Sequence, residues 1–113
     1  MSINSRQKGK RIERWFANLL KPYYPNIRRN AGTQSQSGGV DLENTGRFDI
    51  EIKGGKQCNS KKIRSWINQA KSEGKKGNNK LLMIKPEREE AYVIIPIEDF
   101  MDIMDNLLLN DEL

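Results

Sequence analysis

The stretch that decides the fold is FDIEIKGGK, Phe48–Lys56. Phe48, Ile50 and Ile52 alternate with Asp49, Glu51 and Lys53, and this period of two is the signature of a β-strand. Side chains two apart in a strand share a face. One face therefore offers apolar groups to a core, while the other carries acid, acid and base in a row. A ladder of surface ion pairs would account for Asp49 and Lys53. A site that performs chemistry with carboxylates and an ammonium would account for all three.

Working outward, Val40–Glu43 reads as a second strand, joined to Arg47–Lys53 by the hairpin-type turn NTG, 44–46. Upstream, NIRRNAG (26–32) is a candidate first strand, and GTQSQSGG (32–39) is a polar, glycine-bearing loop. From Ser5 to about Lys21, Ile12, Trp15, Phe16, Leu19 and Leu20 fall on an amphipathic helical stripe. Ser5 is its candidate N-cap and Pro22 its stop, while Arg6, Lys10, Arg11 and Arg14 take the opposite face. After GGKQCNS a second helix runs from about Ser60 to Glu73, with Ile63, Trp66, Ile67 and Ala70 facing inward. KLLMIK (80–85) reads as a fully buried strand and AYVII (91–95) as its neighbour. A last helix starts near Pro96 and is expected to bury Phe100, Ile103, Met104, Leu107 and Leu108. The expectation is an α/β fold: helix, three strands, helix, two strands, helix, with a small mixed sheet of about five strands flanked by helices. The chain has 113 residues, without repeats or a separating linker, which suits a single domain spanning 1–113.

Composition narrows the chemistry. The chain contains no histidine and one cysteine, Cys58. That removes imidazole bases, nucleophiles and ligands, together with any zinc site built from Cys and His. A lone cysteine cannot form an internal disulfide, which fits a reducing cytoplasm. No apolar run approaches the ~18 residues of a membrane span, and the N-terminus carries charge where a signal peptide needs apolar residues, so an intracellular protein without membrane attachment is expected. The net charge of +5 is asymmetric: Met1–Pro86 holds 19 Lys/Arg against 6 Asp/Glu, and Glu87–Leu113 holds 1 against 9. A basic body of this kind fits a polyanionic partner such as nucleic acid.

If Val40–Glu43 pairs with Arg47–Lys53, Asp41 comes within a few Å of Glu51. Two carboxylates and a backbone carbonyl make a hard-oxygen site suited to Mg²⁺, with Mn²⁺ as substitute. Without a cation the two acids would repel in a low-dielectric pocket. Phosphodiester hydrolysis needs a metal to polarise the phosphate and activate water, and a positive group to orient that water or meet developing charge. Lys53, on the Glu51 face, suits the second task.

Asp41, then Glu51 ten residues on, then Ile52-Lys53, resembles the signature of the PD-(D/E)XK nuclease superfamily. QKGKRIERWFANLL (7–20) is similar to the first helix of the archaeal-type Holliday junction resolvases, and the resemblance implies an active-site role for Glu13. SQSGGVDLE (35–43) resembles the resolvase serine-glycine loop, with Ser37, or else Ser35, as the matching serine. IEIKGGK (50–56) resembles the catalytic strand, and Gln69 matches a second-helix glutamine of several branches, including the VRR-type nucleases. The similarity spans roughly Gln7 to Ile95, and Val40 replaces the proline of the signature. It implies a restriction-endonuclease-like fold and a Mg²⁺-dependent DNA endonuclease. Asp41, Glu51 and the Ile52 carbonyl would hold the metal, Glu13 would assist, and Lys53 would orient water. Resolvase activity would make it a homodimer cutting branched DNA, because two strands must be cut symmetrically.

Other residues keep two readings. Glu13 lies ~100° around its helix from Ile12, at the border of the buried stripe. Gln69 is either a site residue or ordinary polar surface. Asp49 and Glu43 belong to the site's edge or to ion pairs. Trp15 and Trp66 fit core packing better than base stacking. Arg28, Arg29, Lys56, Lys61, Lys62 and Arg64 are the expected phosphate contacts. The rival functions are a VRR-type or restriction-like nuclease acting on flaps or duplexes, and a non-catalytic nucleic-acid-binding protein.

Overall fold

A computed structural model of the chain describes residues 5–30, 40–55 and 58–110, and side chains from Gln7 onward. The elements are α1 (Ser5–Leu20), β1 (Arg28–Arg29), β2 (Leu42–Glu43), β3 (Phe48–Gly55), α2 (Ser60–Glu73), β4 (Asn79–Pro86), β5 (Tyr92–Ile94) and α3 (Ile97–Leu109). Their order is the expected one, and the architecture is a mixed α/β arrangement compatible with a restriction-endonuclease-like fold. Among the described residues no helix is long and apolar enough to cross a membrane.

The strands divide differently from a single five-stranded sheet. β3, β4 and β5 form a mixed sheet in that order, and β1 and β2 form a separate antiparallel pair. β3 and β4 run parallel, with Asp49 opposite Lys80 and Glu51 opposite Leu82. Parallel neighbours need a crossover, which α2 supplies. The hairpin ladder expected between β2 and β3 does not form. Asp41 takes its place: its N–H donates to Ile50 O (3.1 Å), its carbonyl accepts from Asn30 N–H (2.9 Å), and its carboxylate accepts from Ile52 N–H (2.7 Å). A side chain thus occupies a donor that a backbone ladder would have used, and the two sheets are joined at Asp41.

One face of β3 and β4 builds the main core. Ile50, Ile52, Leu81 and Met83 pack with Phe16 and Ala17 of α1, Ile27 and Leu42. Gly54 continues that face, where a Cβ would stand 2.5 Å from Ile12 Cδ1 and 2.9 Å from Lys85 O. The helix can approach the strand this closely because no side chain intervenes. The opposite face lies under α2, whose N-cap Asn59 accepts from Lys62 N–H (3.0 Å). There Leu82 and Ile84 are buried with Ala70, while Ile63, Trp66 and Ile67 are only half-buried.

Two expectations of burial fail. Trp15 and Leu19 are 44% and 54% exposed, so only the Phe16 side of the α1 stripe is covered. α3 has no buried residue at all. It docks through its acids: Asp102 pairs with Arg47 (2.6 Å), and Asn79 donates to Asp99 (3.2 Å) and Asp102 (3.0 Å). Phe100 and Leu108, expected in the core, are exposed, and Ile103, Met104 and Leu107 are partly so.

Candidate active site

A strand covered by helices on both faces is buried whatever its sequence, so Asp49 and Glu51 lose their water together. They sit 5% and 3% exposed on the α2 face of β3. The protein treats them in opposite ways.

Asp49 is fully compensated. It pairs with Lys80 (2.8 Å), directly opposite on β4, and accepts from Lys75 N–H (2.6 Å) and Asn78 Nδ2 (3.0 Å). Lys80 in turn donates to the carbonyls of Lys75 and Asn78. This network ties the α2–β4 turn to the sheet. Gly74 lies against it, and a Cβ there would come within 2.6 Å of Lys80 Nζ. Asp49 is therefore an ion-pair residue, one of its two expected readings.

Glu51 has no such partner. Its carboxyl meets the carboxyls of Asp41 and Glu73, and its Oε2 is buried without a hydrogen-bond partner among the described residues. Burial, then the neighbouring Asp41 carboxyl, pushes the Glu51 pKa up to about 10, with Lys53 pulling weakly the other way. An acid so placed is expensive unless protonated or given a cation.

Around this pair the other candidates assemble. Glu13, from α1, pairs with Arg29 (2.9 Å), both side chains less than one-fifth exposed. Burial raises the Glu13 pKa, the Arg29 hydrogen bond lowers it, and the charges of Asp41 and Lys53 also reach it. The α1 carboxylate thus shares the electrostatic environment of the strand residues. Lys53 is half-buried on the Glu51 face. Gln69 does not approach Glu51 through an observed hydrogen bond. It donates to Glu73 Oε1 (3.1 Å), which itself contacts Glu51. Sequence reading missed Glu73. The signal was present, because Gln69 and Glu73 are four apart on one helix face, and Glu73 sits at the α2 terminus over the sheet.

The donor set suits a hard divalent cation. Asp41 and Glu51 supply carboxylate oxygens, one of them orphaned. Backbone N–H and C=O of one strand residue point to the same edge, so the Ile52 carbonyl shares the β2 edge with the N–H bound to Asp41. Among the described residues no group of three or more His, Cys, Asp or Glu is arranged to hold a metal ion by itself, so a cation on Asp41 and Glu51 would keep several waters, as Mg²⁺ does.

The expected phosphate contacts diverge. Arg28 is exposed and pairs with Glu43 across the β1–β2 ladder (2.6 Å), and Arg29 is held by Glu13. Lys61, Lys62 and Arg64 are exposed on α2. Ser35, Ser37 and Lys56 lie outside the described residues.

Fold order and a paired-acid strand ending in lysine correspond to the PD-(D/E)XK nuclease class, and comparison with known families agrees. The model of the family described as "Phage putative PDDEXK endonuclease" matches residues 4–110. That is nearly the whole chain, and the chain belongs to this family of nucleases. No curated protein and no solved structure matches it. Nucleases of this superfamily generally use divalent metals.

Proposed function

We propose that the chain is a metal-dependent DNA endonuclease, one domain of residues 1–113, that hydrolyses phosphodiester bonds with Mg²⁺. Mn²⁺ would serve in its place. The observation that carries this reading is the contrast on β3: Asp49 is neutralised by Lys80, whereas Glu51 is buried beside Asp41 with an unpartnered oxygen. A purely structural strand would have solved both burials alike.

Asp41, Glu51 and the Ile52 carbonyl would hold the cation, with Glu13 assisting. The metal supplies Lewis-acid polarisation of the phosphate and a lowered pKa for water. Lys53 orients the attacking water and meets charge developing on the phosphate. Gln69 holds Glu73 against Glu51 and so positions the metal-binding carboxylate. Lys61, Lys62, Arg64 and the exposed Arg28 offer contacts to the phosphate backbone.

The substrate we favour is branched DNA, as for Holliday junction resolvases, cut by a homodimer. The resemblance of Glu13, Asp41 and Ile50–Lys53 to that family supports it. The test incubates the protein with four-way junctions, flaps and linear duplex plus Mg²⁺. Junction cleavage, lost in Glu51→Ala and Lys53→Ala while junction binding persists, is the expected result. Binding without cleavage of any substrate would sink the enzyme reading. Cleavage of flaps or duplex alone would sink the junction reading.

A further inference from the structure

α3 presents an apolar seam to solvent. Ile97, Met101, Met104 and Leu108 recur at spacings of four, three and four, which places them on one stripe of the helix. Ile97 is 70%, Met101 52% and Leu108 61% exposed. The helix is fixed by the other side, through Asp99 and Asp102, so the stripe cannot turn inward without breaking the contacts to Arg47 and Asn79. By the helical repeat, Glu98 and Asp105 both flank this stripe on one side. Between Ile97 and Leu109 there is no basic residue.

A matching ridge lies on α1. Trp15 and Leu19, one turn apart, are both about half exposed, and Arg11 and Arg14 flank them on the solvent side. Trp15 is also braced edge-on against Phe16, with ring centroids 5.0 Å apart, so it is a rigid projection. Arg11 and Arg14 are both exposed, and neither is among the expected phosphate contacts.

We propose that a second copy of this chain covers α3, its α1 ridge of Trp15 and Leu19 seated on the Ile97–Leu108 seam. Arg11 and Arg14 of that copy face Glu98 and Asp105. A two-fold axis makes the contact twice, so the four faces satisfy one another. Pairing α3 with α3 instead would bring together two helices that carry acids and no bases, which like-charge repulsion opposes. The inference deepens the homodimer of the proposed function and rests on it for the symmetry, but its test involves neither DNA nor metal, so it fails or survives separately from the nuclease reading.

The experiment measures mass by sedimentation equilibrium, with thermal melts as a check on folding. Wild type sediments as a dimer, and Leu108→Asp as a monomer with an unchanged melt apart from its loss of concentration dependence. Arg11→Glu with Arg14→Glu gives a monomer, as does Glu98→Lys with Asp105→Lys. Mixing these two charge-reversed proteins restores a dimer, since each α1 then meets an α3 of opposite sign. A monomeric wild type at hundreds of micromolar would overturn the proposal. So would a dimer broken by Leu108→Asp yet indifferent to reversal on α1, or a mixture that stays monomeric.

Discussion

Replacing Glu51 with glutamine in metal-free protein tests the site without reference to cleavage. The Glu51 carboxyl has an ordinary pKa of 4.5, which burial and Asp41 push up to about 10. Between those values the folded chain keeps a proton that the unfolded chain releases. The folded state therefore binds more protons, and stability falls as pH rises through that window. Each pH unit is worth about 1.4 kcal/mol, so the ~2.5 units from 4.5 to 7 amount to roughly 3 kcal/mol of lost stability. Glu51→Gln removes the titration, and its amide can donate to the carboxylates of Asp41 and Glu73. At pH 7 in EDTA the variant should exceed wild type by about 3 kcal/mol, on the order of 10 °C in Tm for a domain of this size. Urea unfolding at pH 5, 7 and 8.5 reads the effect directly: wild type weakens steeply, and Glu51→Gln keeps only the smaller slope due to Glu13, whose pKa is also raised. A variant no more stable than wild type, with the same pH slope, would refute an uncompensated Glu51.

Three further outcomes follow from the same contacts. Lys80→Met strands the buried Asp49 carboxylate and should cost about 3–5 kcal/mol in chemical denaturation; a loss below 1 kcal/mol would mean that the turn donors alone satisfy Asp49. Gly54→Ala forces a methyl against Ile12 and the Lys85 carbonyl, and should lower stability by about 1–3 kcal/mol as overpacking does, read as a lower urea midpoint at unchanged slope. Glu73→Gln exchanges a carboxyl for an amide donor beside Glu51, so the Glu51 carboxyl should titrate at lower pH by ¹³C NMR. An unchanged titration would remove Glu73 from the site.

The parts of this architecture that rest on period and chemistry were legible in the chain. The alternation in Phe48–Lys53 placed Asp49, Glu51 and Lys53 on one face, and the helical stripe of Ile63, Trp66, Ile67 and Ala70 located α2. What sequence could not convey was partnership across space. Spacing to Asp41 and Lys53 singles out Glu51, but it leaves Asp49 between the site's edge and an ion pair, and the parallel register that sets Lys80 opposite Asp49 decides for the ion pair. Asp41 looked like a strand residue because its neighbours Leu42 and Glu43 are; its carboxylate replaces part of the ladder that such a strand would form. The apolar stripe of α3 has the periodicity of a core face yet is not buried, since periodicity records that a face is apolar and not what covers it. Glu73 carries no motif of its own, and its four-residue spacing from Gln69 is the one sequence signal that points to it.

The charges of the assembled site argue for one more partner. Glu13, Asp41, Glu51 and Glu73 bring four carboxylates into one neighbourhood, and Arg29 and Lys53 bring two cations. Arg29 is already committed to Glu13, and Lys53 offsets Glu51 only weakly. Fully ionised, the group would carry an excess of two negative charges, and without a cation part of that excess is relieved by the proton held on Glu51. A divalent cation would match the excess in charge and displace that proton. Stability and metal affinity should therefore move together. Mn²⁺ should raise the wild-type Tm most at high pH, where Glu51 is costliest, and leave Glu51→Gln almost unmoved. Equal stabilisation of both proteins by Mn²⁺ at pH 8.5 would place the cation elsewhere.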